Sequence, residues 1–162
     1  MRSVKLYKPS ESGKGSAVQF HPARVGSKKE PALFVEAVRQ SGPKPQPGSS
    51  DSPFNWKDKI SIMLSVDELA NIVAYIKNLT NKEIKFVHRS EKNDKESIGV
   101  LGLKKPETAE EIKFGNWLMT VGRDRDNIMV RLTPGEVMQL AIISEEVIRC
   151  YVDVQNVNYE KS

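Results

Sequence analysis

The sequence contains few of the residues on which catalytic and metal sites depend. Cys150 is the only cysteine among 162 residues, and His21 and His88 are the only histidines. A lone cysteine forms no internal disulfide, which favours an intracellular compartment, and no Cys or His pair has the spacing of metal ligands. We therefore predict a protein that is not an enzyme, with no catalytic residue, no bound metal and no cofactor.

Long apolar runs are missing as well. A membrane-spanning helix needs ~18 consecutive apolar residues, and an exported protein begins with an apolar signal core. The sequence has neither feature. We expect no membrane contact and a cytoplasmic or nucleoid-associated protein, or one of an organellar matrix if a transit peptide was removed. The length of 162 residues suits a single domain that buries its core without disulfides.

Positive charge is concentrated in the first third of the chain. Residues 1–50 contain nine Lys or Arg and three Glu, a net charge of +6, which leaves −2 for the rest of a chain whose overall charge is +4. A basic region of this kind favours a polyanionic partner such as nucleic acid. The alternative is a solvated, lysine-rich surface that binds nothing.

One segment changes its hydrophobic period partway along. Between positions 60 and 64 apolar residues alternate, which predicts a strand with one buried face. Between positions 69 and 76 they recur at helical spacing. Ser65 and Glu68 form the capping box that begins a helix. A strand is therefore predicted to lead directly into a helix.

The same unit occurs a second time, 68 positions later. Leu132, Thr133 and Glu136 stand where Leu64, Ser65 and Glu68 stand in the first unit. Capping boxes are common, so a chance match is the alternative. We interpret the match as a duplication inside one domain, with repeat one at 1–80 and repeat two at 82–152.

Each repeat is predicted to contain four antiparallel strands followed by one helix, which is an α+β fold. Alternation predicts the strands at 4–8, 16–21, 33–40, 60–64, 84–89, 98–104, 117–123 and 128–132. The connecting segments are predicted as a flexible loop at 41–52, a charged hairpin loop at 91–96, an acidic loop with room for a helical turn at 105–114 and a flexible tail at 153–162.

The last helix is more apolar than one sheet face can cover. We therefore predict that it also packs against a partner protomer, in a dimer or tetramer. The residues assigned to this oligomer interface are Val137, Leu140, Ile142, Ile143, Val147 and Ile148. The alternative is that the first helix covers this surface within the same chain.

Several predicted strands place basic, aromatic or amide side chains on the face away from the core. Cations bind phosphates and flat side chains stack on bases, at ~1–3 kcal/mol per stacked base, which suits single-stranded nucleic acid. The candidate nucleic-acid-binding residues are Lys5, Tyr7, Lys14, Gln19, His21, Trp56, Lys59, Lys85 and Arg89. However, half-exposed strands are often polar on one side without binding anything. A tryptophan before a strand is as often a lid on the core as a stacking platform.

Five segments match a known sequence pattern. Phe54-Asn55-Trp56, Lys57 to Lys59 and Leu64 to Glu68 have the order and spacing of an aromatic-Asp-Trp, a basic segment and Leu-Ser-Val-x-Glu. Residues 84–88 are similar to a Phe-Phe-His strand, and 133–137 to the start of a second helix. In these features the chain resembles the Whirly single-stranded DNA-binding proteins and, more distantly, the positive cofactor four coactivators.

The resemblance implies two packed four-stranded sheets in each protomer, a helical core that joins four protomers, and bases held between neighbouring sheets. The family also has a Lys-Gly-Lys-Ala-Ala-Leu segment on its second strand, associated with DNA binding and higher assembly. Lys14, Gly15, Ala17 and Val18 fit this segment, but Ser16 replaces its second lysine. That departure puts assembly beyond a tetramer in doubt.

We predict a largely sequence-independent single-stranded DNA-binding protein that acts in DNA replication, recombination or repair, or in transcription regulation. The alternative is an RNA-binding or RNA-annealing protein that uses the same sheet surface. A third hypothesis is a scaffold that binds only proteins, through the broad apolar face of its helices.

Overall fold

Two four-stranded antiparallel sheets form the framework of the structure, a computed structural model that describes residues 2–44, 46, 52–78, 82–92 and 95–159. Sheet one contains four strands, adjacent in chain order: β1 (Val4–Lys8), β2 (Ser16–Val25), β3 (Glu30–Arg39) and β4 (Ile60–Leu64). A 3-10 turn, Trp56–Asp58, precedes β4, and α1 (Val66–Asn78) follows it. Repeat one is therefore four strands and a helix, as predicted.

Sheet two repeats this arrangement. Its strands, again adjacent in chain order, are β5 (Glu83–Lys92), β6 (Lys95–Lys104), β7 (Trp117–Arg123) and β8 (Asp126–Leu132). The short helix α2 (Ala109–Phe114) lies between β6 and β7, and the long helix α3 (Pro134–Tyr159) follows β8. The predicted α+β fold of two repeats is confirmed. None of the helices in the described ranges has both the length and the hydrophobicity needed to cross a membrane.

The predicted strands are confirmed, with differences at their ends. The bounds of β1, β4 and β7 agree to the residue. β2 continues beyond its predicted end at His21 as far as Val25. The reason is that β1 pairs with β2 only as far as Phe20, so Pro22 lies where β2 is an edge strand, and an edge tolerates proline.

Two connecting segments differ from the prediction. The hairpin predicted at 91–96 is confirmed, but the bounds of its loop are too wide, because Glu91 and Glu96 are paired residues of β5 and β6. Residues 93–94 lie outside the described part of the chain. The tail predicted at 153–162 is helical as far as Tyr159, since α3 contains no Gly or Pro beyond position 135 to end it. Residues 160–162 are not among those described.

The predicted loop at 41–52 is described only in part. Residues 45 and 47–51 lie outside the described residues. At its end, Phe54 bridges to Gln40, which returns the chain to the edge of sheet one before β4 begins. The loop therefore starts and finishes at one place on the sheet.

One core lies between the inner faces of the two sheets and the helices α1 and α3. Alternate residues of each strand contribute to it, such as Val18 and Leu33 in sheet one and Met119 in sheet two. Leu64 and Leu132, the last residues of β4 and β8, are both fully buried. These equivalent positions in the two repeats therefore have equivalent surroundings.

The structure corrects most of the predicted oligomer interface. Four of the assigned residues are buried in the core of the single chain: Val137, Leu140, Ile143 and Val147. The reason is that α1 packs directly against α3. The alternative, that the first helix covers this surface within the same chain, is therefore correct for these four residues. Ile148 is partly buried against the same core. Ile142 is 53% exposed, and contact between protomers through α3 stays a prediction.

The cap of α1 is bound by sheet two. The Ser65 amide donates to Glu68 Oε2 at 2.8 Å, and a 2.5 Å hydrogen bond joins Glu68 Oε1 to His88 Nε2 on β5. Burial raises the pKa of Glu68, but the hydrogen bonds from His88 and Ser65 outweigh it and leave that pKa below its usual value. The glutamate is therefore ionised at neutral pH, as the cap requires.

The cap of α3 is bound in the same way by sheet one. The Thr133 amide donates to Glu136 Oε2 at 2.7 Å, and Lys8 Nζ on β1 lies 2.5 Å from Glu136 Oε1. Burial raises the pKa of Glu136, and the hydrogen bonds from Lys8 and Thr133 again lower it overall. The first strand of each repeat thus holds the helix cap of the other, which joins the repeats into one unit.

Candidate nucleic-acid interface

The outer face of sheet one brings together four of the predicted site residues. The strand register pairs Lys5 with Gln19 and His21 with Phe34. Tyr7, two positions after Lys5, points to the same side and is 47% exposed. Cationic, aromatic and amide side chains therefore share one surface, as the alternation of β1 and β2 predicted.

An aromatic cluster covers one end of this face. The segment before β4 folds back over the sheet, so that Phe54 is buried against Ala17 and Trp56 packs beside them. The Tyr7 ring lies 5.7 Å from the Phe54 ring and 6.3 Å from the Trp56 ring. Lys5 Nζ lies 5.3 Å from the centre of the Trp56 ring, an attractive cation–π arrangement. Trp56 is thus a lid on a small cluster, and its half-buried ring stands next to a cation.

Two further apolar residues on this face were not among the predicted site residues. Phe34 pairs with Met63 across β3 and β4, and Met63 is 46% exposed. The ring of His21 lies 6.5 Å from that of Phe34, and its Nδ1 lies 2.7 Å from the hydroxyl of Ser3. Strand alternation was the available signal for both residues, because their sequence neighbours on β3 and β4 are buried.

Glu36 changes the role expected of Lys59. Glu36 lies in the middle of the outer face and is only 6% exposed. Lys59 Nζ lies 2.7 Å from its carboxylate, and the Ser61 hydroxyl donates to it at 3.3 Å. A buried carboxylate requires such partners. Lys59 is therefore largely neutralised where it stands and offers less charge to a phosphate than Lys5 does.

The outer face of sheet two carries a shallow groove of about 520 Å³. Its floor includes residues paired across all four strands: Lys85, Gly102, Thr120 and Met129. Met129 is 64% exposed, so an apolar side chain and an exposed lysine occupy one groove. Arg89 lies on the same face, but it pairs with Glu96 at 2.9 Å and is partly neutralised.

The two sheets meet where the start of β2 and the end of β3 reach β8. The Ser16 hydroxyl donates to the Met129 carbonyl at 3.0 Å, and Arg39 Nη2 donates to the Asn127 carbonyl at 2.5 Å. A cavity of about 320 Å³ lies beside these contacts, and Lys14 is part of its lining. Asn127 and Met129 line both this cavity and the groove on sheet two. The surface around Lys14 therefore continues into the groove that holds Lys85.

Comparison with known proteins rests on the fold. No family model matches the chain, and no curated protein matches its sequence. The structure is similar to that of the plant transcriptional regulator PBF-2, with a sequence identity of 14% and a TM-score of 0.68 over 99% of this chain and 87% of that one. WHY3 from Arabidopsis thaliana has 16% identity and a TM-score of 0.68, over 98% of this chain and 93% of that one. The chain has a Whirly-like fold.

The Whirly-like fold also has a more distant similarity to the crystal structures of Trypanosoma brucei MRP1/MRP2. There the identity is 16% and the TM-score 0.56, over 92% of each chain. The fold predicted from the sequence resemblance is therefore confirmed. At such identities the likeness concerns the fold alone, and the roles of individual binding residues stay predictions that rest on the geometry of this chain.

Proposed function

We propose that this Whirly-like protein binds single-stranded DNA, largely independently of base sequence, through the outer faces of its two sheets. The observation that best supports the proposal is that each face combines a lysine with an aromatic or apolar side chain that is at least partly exposed. Lys5 lies beside Trp56 on sheet one, and Lys85 shares a groove with Met129 on sheet two. The similarity to PBF-2, a plant transcriptional regulator, supports a role in transcription. Replication, recombination and repair also expose single strands, and they are the other processes that we propose.

Phosphates and bases are bound by different side chains in this proposal. The ammonium groups of Lys5, Lys14 and Lys85 bind phosphates, while bases lie against Trp56 and Met129. Stacking on an aromatic side chain contributes about 1–3 kcal/mol per base, and it tolerates any base because every base has a flat face. Binding without sequence preference follows from this division.

A duplex can use only part of this surface. Its bases are stacked on one another, so they cannot lie against the side chains of either sheet, and only the phosphate contacts remain. Because the stacking contribution is lost, single strands are preferred over duplexes of the same length.

The affinity for a labelled oligothymidine is expected to fall steeply with salt. Each phosphate contact on a single strand contributes about −0.7 to the slope of log K against log salt concentration, so contacts by Lys5, Lys14 and Lys85 predict a slope of about −2. Fluorescence anisotropy titrations over a tenfold range of salt concentration measure this slope.

Two competitors complete the experiment. A duplex of the same length is expected to compete poorly, and an RNA oligomer of the same sequence tests the alternative of an RNA-binding protein, since only an RNA reader gains from the 2′-hydroxyl. A slope near zero, or a duplex bound as tightly as the single strand, would contradict the proposal.

A further inference from the structure

A buried amide holds both ends of the loop that carries Lys14. Gln40, directly after β3, is only 7% exposed. Its Oε1 accepts hydrogen bonds from the amides of Ser10 at 2.8 Å and Gly15 at 3.1 Å. Its Nε2 donates to the carbonyls of Ser10 at 3.0 Å and Gly42 at 2.7 Å. The amide therefore uses both of its donor hydrogens and both acceptor sites of its oxygen.

The loop is shaped to close on this amide. A Cβ at position 15 would lie 2.3 Å from Gln40 Oε1 and 2.4 Å from a backbone carbonyl oxygen, so Gly15 cannot carry a side chain without movement. Gly13 has a φ of +71°, a region that favours glycine, and its amide donates to the Ser10 carbonyl at 3.0 Å. Lys14 thus lies between two glycines whose backbone positions are fixed.

We propose that Gln40 is a positioning residue, which holds Lys14 at the junction of the two sheets, beside the groove on sheet two. Gln40, Lys14 and Arg39 line the same cavity there, and a phosphate of a strand that crosses from sheet one to sheet two meets the Lys14 ammonium. This inference rests on the proposed function. Gln40 acts only through the loop: ordering Lys14 before binding reduces the conformational entropy lost on binding.

A double-mutant cycle between Gln40 and Lys14 tests this role. Gln40→Met keeps the length of the side chain and removes its four hydrogen bonds, and Lys14→Ala removes the ammonium. The affinity for oligothymidine is measured for the wild type, both single variants and the double variant. All four proteins are compared at one salt concentration and again across the salt series.

The cycle is expected to show strong coupling. Lys14→Ala weakens binding about fivefold at about 0.1 M salt, because one lost phosphate contact removes about 0.7 log units there. Gln40→Met causes most of the same loss and makes the salt slope shallower. The double variant then binds no more weakly than Lys14→Ala. Once Gln40 is replaced, Lys14 contributes little to the affinity, so removing its ammonium costs little more.

Lys85→Ala is the matched control. It removes the same charge from the groove on sheet two, so it is expected to cost the same factor in the wild type and in Gln40→Met. If Lys14→Ala also keeps its full fivefold cost in the Gln40→Met background, the positioning role of Gln40 is overturned. A wild type that does not bind oligothymidine at all would overturn the proposed function and this inference together. That result is distinguishable from an unchanged cost of Lys14→Ala, which overturns only the positioning role.

A second variant keeps the experiment interpretable if Gln40→Met does not fold. Gln40→Glu keeps the acceptors for the Ser10 and Gly15 amides but places a carboxylate against the carbonyls of Ser10 and Gly42. It replaces Gln40→Met in the cycle if Gln40→Met does not fold. Hydrogen exchange in the absence of DNA is expected to be faster at the Ser10 and Gly15 amides of Gln40→Met, which removes their acceptor, and unchanged in α1 and α3. Unchanged protection of both amides would also overturn the inference.

Discussion

Replacing Lys5, Lys14 and Lys85 together by alanine is expected to weaken oligothymidine binding by about 100-fold at about 0.1 M salt. Three lost phosphate contacts, each worth about 0.7 log units at this salt, give about two log units. The three lysines represent separate parts of the surface: Lys5 lies beside Trp56, Lys14 lies at the junction of the sheets and Lys85 lies in the groove on sheet two. Fluorescence anisotropy measures the change.

A charge-matched control separates the location of charge from its amount. Lys77, Lys113 and Arg149 lie one on each helix, and their joint replacement by alanine removes the same net charge. This control variant is expected to bind within about twofold of the wild type, because screening limits the reach of exposed charges to about 10 Å at this salt. If it loses as much affinity as the first variant, overall charge and not the outer faces determines binding.

Leu64→Ala and Leu132→Ala are each expected to lower the free energy of unfolding by about 2–5 kcal/mol. Both leucines are fully buried and end the strands that lead into α1 and α3. Alanine at either position loses the transfer free energy of the removed methyl groups and leaves a cavity in the shared core. Urea unfolding followed by circular dichroism measures both changes.

The exposed methionines on the same two strands provide the control. Met63→Ala and Met129→Ala are expected to change the free energy of unfolding by no more than about 0.5 kcal/mol, because both side chains lie at the surface. A severe effect of Leu64→Ala combined with a mild effect of Leu132→Ala would contradict the equivalence of the two repeats.

The strand-to-helix units could be predicted because independent local signals agree within a short stretch. Apolar alternation defines the strand, helical spacing defines the helix, and the pairs Ser65 with Glu68 and Thr133 with Glu136 mark the boundary. The same alternation predicted that Lys5 and Tyr7 share a face. These features depend only on residues close together in the chain.

Features that depend on distant segments could not be predicted. Lys8 binds Glu136, 128 positions away, and no local pattern marks that contact. The pairing of Lys59 with Glu36 depends on the register of β3 against β4, where a slip of one residue would turn each side chain to the other face.

The last helix shows the same limit. Its apolar pattern indicates how much surface must be covered, and it does not indicate which neighbour covers it. The pattern therefore predicts a partner protomer at Val137 and Leu140, whereas α1 of the same chain packs against α3 and both residues are buried.

Binding of a single strand across the outer faces of both sheets can be followed at the methionines of this chain. Met63 and Met129 are exposed on the outer faces of sheets one and two, Met138 is exposed on α3 and Met119 is fully buried. The most direct test is an NMR titration of ¹³C-methyl-methionine-labelled protein with oligothymidine. The methyl resonances of Met63 and Met129 are expected to shift, and those of Met138 and Met119 to stay in place. A shift of the Met138 resonance without shifts of the Met63 and Met129 resonances would contradict binding across the outer faces.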